Sequence, residues 1–129
     1  MLRQAIAITL LSSPAAAALE CLPSTACTVE GTCETEVNEG PFRLSLQGDT
    51  LAFVTLPEAE QPPTAPEIVF TEVAHSNAAL RVFTAIPSAA GDAALLTLTN
   101  ESHFTLSVHG QLFGTPFGLL SEGPCTGAL

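Results

Sequence analysis

The sequence predicts an all-β fold, a small antiparallel sandwich or barrel of about 7–8 strands braced by disulfides. Three observations lead there. Short runs of alternating apolar and polar residues recur with Gly, Pro, Asn or Asp between them. A helical period never survives, because Gly, Pro and β-branched residues interrupt almost every window of useful length. Four cysteines follow a leader that reads as an export signal.

The leader is MLRQAIAITLLSSPAAAALEC. Arg3 supplies a positive start, and Ala5–Leu11 is an apolar run too short to cross a bilayer. Ser12, Ser13 and Pro14 break the run, and Ala16-Ala17-Ala18 offers the small residues that a signal peptidase requires. Residues 1–18 are therefore expected to be a cleaved signal peptide and residues 19–129 a single β-domain, with cleavage near Ala18 and a periplasmic or secreted destination. Lipidation at Cys21 is disfavoured, since Ala18 and Glu20 occupy the places where a lipoprotein signal has leucine and a small residue. No later segment approaches the roughly 20 apolar residues of a membrane helix, so no membrane insertion is expected.

Export decides how the sulfurs are used. An oxidising compartment turns an even number of cysteines into disulfides. Cys21, Cys27 and Cys33 are spaced too widely for the paired ligands of a zinc loop and lack the C-x-x-C of a redox pair. Between Cys27 and Cys33, Val29-Glu30-Gly31 can form a three-residue hairpin loop with Gly31 in the left-handed position. Thr28 then faces Thr32, and Cys27 faces Cys33 at a non-hydrogen-bonded site, within disulfide reach. That leaves Cys21 for Cys125, tying the two ends of the domain.

Along the chain, ETEVNEGP is an acidic turn. Phe42–Leu46 alternates strictly, Gly48-Asp49 turns, and Leu51–Leu56 returns. Residues 57–67 hold four prolines without periodicity, the mark of a surface loop or crossover. Ile68–Ala74, Leu80–Ile86 and Ala93–Leu98 read as further strands. His103–His109 sets Phe104, Leu106 and Val108 on one face and His103, Thr105, Ser107 and His109 on the other. Leu112–Leu120 is a last, irregular strand, in which Pro116 demands an edge or a bulge. The seven phenylalanines are spread nearly one to a strand and are expected to fill the core.

Composition narrows the function. With 13 acidic residues against three arginines and no lysine, the formal charge is −10. Losing the leader removes Arg3 and leaves Arg43 and Arg81 as the strong cations. Phosphate backbones are bound through Lys and Arg, so no nucleic-acid partner is expected, whereas a basic protein would be attracted. His103 and His109 lie about 20 Å apart along one strand and cannot share an ion; His75 sits alone beside a turn. Glu34, Glu36, Asn38 and Glu39 gather oxygen ligands, but Ser45 stands where a helical calcium loop needs its closing Glu. No G-x-S-x-G, S-x-x-K or phosphate loop is present. The chain is expected to be no enzyme and to carry no cofactor or metal. The leading expectation is an extracytoplasmic binding or structural interaction domain.

The export signal, the closely spaced early cysteines, the phenylalanine-led strand at Phe42 and the late Gly123-Pro124-Cys125 resemble small periplasmic proteins of Gram-negative bacteria, a resemblance that implies no particular activity. A fainter one is to the periplasmic C-type lysozyme inhibitors, antiparallel β-barrels that insert an S-x-S-G-x-x-Y loop into the enzyme cleft. In Pro87–Asp92 only Ser88 and Gly91 match that loop; Ala90 and Ala94 replace its second serine and its tyrosine. This resemblance implies an alternative function, inhibition of a basic hydrolase such as lysozyme, with Ser88 and Gly91 in the binding loop.

Overall fold

A computed structural model describes residues 17–35, 40–56, 68–74, 76–86 and 92–129. Its elements are all strands: β1 (Ala18–Cys21), β2 (Thr25–Thr28), β3 (Cys33–Glu34), β4 (Phe42–Gln47), β5 (Thr50–Thr55), β6 (Ile68–Glu72), β7 (Leu80–Ala85), β8 (Ala93–Thr99), β9 (His103–Leu112) and β10 (Thr115–Ala128). Among the described residues no helix is long and apolar enough to cross a membrane. The Pro-rich segment 57–67 lies outside them.

β4 to β10 form an up-and-down meander in which each strand pairs with the next. Seven alternating strands leave β4 and β10 pointing the same way. One strand antiparallel to both can then close the sheet, and β1 does so. It pairs Ala18 with Ser45 and Cys21 with Phe42 on one side, and Ala18 with Ala128 and Cys21 with Cys125 on the other. The result is an eight-stranded barrel rather than a sandwich, a size whose interior side chains can fill or share with one small ligand. Closure also pairs the edges of β4 and β10 along β1, leaving the short β3 as a terminal strand.

Inward residues follow the two-residue period of each strand. Leu44, Leu51, Phe70, Phe83, Leu96 and Phe104 are fully buried, and Leu19, Phe42, Leu98 and Leu106 surround them. Phe42 stacks on Phe53 at 4.5 Å and meets the edge of Phe104 at 4.8 Å. The expectation that every phenylalanine is core fails at two positions. Phe113 is 99% exposed, and Phe117, although in phase with the inward residues Ser121 and Cys125 of β10, is still 38% exposed. The β9–β10 hairpin carries both beyond His109, where the pairing of β9 with β8 ends.

The sulfurs pair as Cys21–Cys125 and Cys27–Cys33, and no described cysteine is free. Cys27 and Cys33 are ladder partners with Cα atoms 4.0 Å apart. Thr28 donates to Thr32 O at 2.9 Å, and Gly31 takes a φ of 89°, as a three-residue loop requires. Two boundaries differ from the sequence reading. β9 runs through Gly110 to Leu112, and β10 continues through Gly123-Pro124 to Ala128 as the longest strand. Pro116 and Pro124 are tolerated there because β10 changes partner along its length: β2 covers Leu119–Glu122 and β1 covers Cys125–Ala128.

Candidate binding site where the sheet divides

β1 and β2 run along β10 as one interrupted strand. Cys21 pairs with Cys125 and Thr25 with Glu122, so three residues, Leu22-Pro23-Ser24, stand against two, Gly123-Pro124. This is a β-bulge. Its anchors are Leu22 N to Pro124 O at 3.0 Å and Ser24 N to Glu122 O at 2.9 Å. Pro23, without an N–H, occupies the middle. A Cβ on Gly123 would run into the Leu22 carbonyl oxygen, so the bulge needs glycine on its inner side.

The bulge splits the sheet. The β1–β4 ladder ends at Cys21 and Phe42. Beyond it, β2 stays with β10 and takes β3 on its outer edge, while Pro41 O accepts from Leu56 N, beside β5. Between these diverging halves a wedge opens into the barrel interior, a cavity of about 280 Å³. Phe42, Phe53 and Leu106 give it apolar walls, Pro23 and Gly40 form its lip, and Thr55 and Ser121 complete its lining. None of these residues is charged.

Ser121 stands out chemically. It is 3% exposed, the buried polar residue among an otherwise apolar interior set, and its Oγ has no hydrogen-bond partner among the described residues. Its neighbours across the ladders are Leu106 and Ala26, which offer no side-chain acceptor. A buried hydroxyl without a partner costs about 1–3 kcal/mol. Native interiors seldom keep such a group unless something else bonds to it.

Two other cavities serve structure better than binding. The one at the opposite end, about 290 Å³, is bordered by Leu19, Arg81, Leu98 and Leu129. Its cation is already committed: Arg81 donates to both carboxylate oxygens of Glu72 at 3.2 and 2.5 Å, and its guanidinium lies 5.4 Å from the centre of the Phe83 ring. Hydrogen bonding from Arg81, aided by Ser76, outweighs burial and holds the Glu72 carboxyl below the usual range. The third is a shallow outer hollow over β1, β4 and β10, beside the 2.8 Å Arg43–Glu20 ion pair.

The outward face of β9 holds a Ser–His pair. Ser107 Oγ and His109 Nε2 are 3.0 Å apart in an exposed setting. Neither residue lines the three cavities above, and the contact follows from adjacency on one face of one strand. His103 stands 3.9 Å from Glu122, also outside. His75, the inhibitor-loop residues Ser88 and Gly91, and Glu36, Asn38 and Glu39 lie outside the described residues; Glu34 is exposed in β3. Among the described residues no three metal-ligating side chains gather.

Sequence reasoning passed over Ser121, although a signal for it exists. Once Cys125 is taken as an inward staple, the two-residue period makes Gly123, Ser121 and Leu119 inward as well. Comparison with protein-family models, curated proteins and solved structures finds no match.

Proposed function

We propose that this chain is an exported, non-catalytic binding domain that holds its ligand in the wedge where the barrel sheet divides. One observation carries this reading: a folded, doubly braced barrel keeps an apolar cavity open to its surface, with a buried unpartnered hydroxyl on the wall. Apolar pockets with a few convergent polar groups are the usual form of small-ligand sites. Disulfides are compatible with an oxidising extracytoplasmic compartment. Cleavage near Ala18 would leave Leu19 and Cys21 in place to close the barrel.

The test is native mass spectrometry of the protein isolated without denaturant from the envelope of the cell that makes it. The expected species is the chain without its leader, four hydrogens lighter than its reduced form, carrying a small molecule that denaturation releases chemically unchanged. A full-length chain with reactive thiols contradicts export. A ligand released as a converted product contradicts the non-catalytic reading.

The alternative, inhibition of a basic hydrolase such as lysozyme, is favoured by the acidic charge and by Phe113, which a tight turn holds in solvent as a protruding aromatic group. Binding to immobilised lysozyme that fades with added salt supports it, and no retention at low salt ends it.

A further inference from the structure

We infer that the ligand of the wedge is a small neutral molecule, one or two rings in size, whose single hydroxyl or carbonyl group bonds to Ser121. This rests on the proposed binding function and gives the ligand its chemical class. The size follows from the volume: a cavity of about 150 Å³ accepts benzene, and the wedge offers about 280 Å³. The polarity follows from the wall. Phe42, Phe53, Leu106 and Pro23 give an incoming ring apolar faces and edges to pack against.

The charge follows from exclusion. Among the described residues no lysine, arginine or histidine lines the wedge to receive an anion, and the acidic chain repels one from a distance. No carboxylate among the described residues lines it to receive a cation, which would shed its hydration without return. A hydroxyl both donates and accepts, so Ser121 can bond to an alcohol, phenol, ketone or ester alike. A wholly apolar occupant would leave the buried Oγ unpaired, whereas one with a single polar group completes it.

The probe is 1-naphthol, with naphthalene as its counterpart lacking the hydroxyl. The chain contains no Trp and no Tyr, so naphthyl fluorescence is read without protein background. Neutral naphthol emission, suppressed in water by proton loss in the excited state, reappears on entry to an apolar site. The wild-type protein is expected to bind 1-naphthol saturably, about tenfold more tightly than naphthalene, the weight of one buried hydrogen bond. Ser121→Ala should remove that preference by weakening naphthol alone. Ser121→Leu should fill the wedge and abolish both.

Both variants replace an unpaired buried hydroxyl with hydrocarbon, so their melting points should equal or exceed the wild type. If either fails to fold, the wild-type preference for naphthol over naphthalene decides by itself. Equal affinity for the two probes, or a Ser121→Ala effect shared by both, overturns the role of Ser121 and leaves binding in the wedge standing. Binding of neither probe overturns the inference as a whole, and the native mass spectrum judges the wider reading separately.

Discussion

Removing the Cys21–Cys125 bridge should cost far more than removing Cys27–Cys33, and the reason lies in topology. The first bridge spans 104 residues and the second six. By the chain-entropy estimate, a closed loop of about 100 residues contributes about 4.7 kcal/mol, and one of about seven contributes about 2.4 kcal/mol. The long bridge also fastens β1 to β10, the strand pair whose failure would reopen the barrel. Its cysteines are 1% and 7% exposed, so alanine there loses packing too. Cys33, by contrast, is exposed.

The perturbation is a pair of double variants, Cys21→Ala/Cys125→Ala and Cys27→Ala/Cys33→Ala, unfolded in urea and followed by far-UV circular dichroism. With a urea slope of about 1–3 kcal/mol/M, the two midpoints should separate by about 1–2 M, the long-loop variant being the weaker. A domain holding about 5–15 kcal/mol in all would lose a third or more of its stability through that variant. Equal losses, or a greater loss from the short loop, would refute both the loop-length reasoning and the closing role of β1.

Further consequences follow for single positions. Gly123→Ala should destabilise the fold by about 2 kcal/mol or more, because the new methyl meets backbone at the bulge. Gly118→Ala should cost less, since its neighbour is the exposed Val29 side chain, which can turn away; thermal melts of the two variants decide. Phe113 and Gly114 take φ values of 51° and 80°, the signature of a tight hairpin turn that favours Asn-Gly. Phe113→Asn should therefore raise stability by about 1 kcal/mol, and an unchanged or lowered melting point would deny strain at that residue.

The Glu72–Arg81 pair gives a pH signature. Its folded pKa lies below the unfolded value, so its contribution is present above the unfolded pKa and disappears as pH falls through the folded one. The stability gap between wild type and Glu72→Gln should be widest near neutrality and shrink in acid. A gap independent of pH would show that the pair contributes no charge-dependent stability.

Much of the barrel is legible in the sequence. The strict alternation of His103–His109 and the Gly48-Asp49 turn between two apolar runs each imposed a local geometry that survives in β9 and in the β4–β5 hairpin. The Cys27–Cys33 hairpin was legible for the same reason: glycine position, loop length and facing cysteines agreed. Closure was not legible. β1 is four residues long and begins at Ala18, and its pairing with β4 and β10 depends on contacts distant in sequence. The end of β10 was hidden by Gly123-Pro124, which reads as a turn locally and becomes one side of a bulge only when Leu22–Ser24 is present. The wedge and Ser121 inherit that difficulty, because the split that exposes them is a property of paired strands rather than of any one segment. Phe113 and Phe117 misled because hydrophobicity alone does not reveal a hairpin that outruns the barrel.

The central claim is that occupancy begins where the sheet divides. The most direct measurement is a titration of the isotopically labelled, oxidised protein with 1-naphthol, followed through its amide resonances. Saturable shifts are expected at Phe42, Phe53, Thr55, Leu106 and Ser121, with Leu98–Ser102 at the far end unmoved. Shifts centred on that far end, or scattered without saturation, would contradict it.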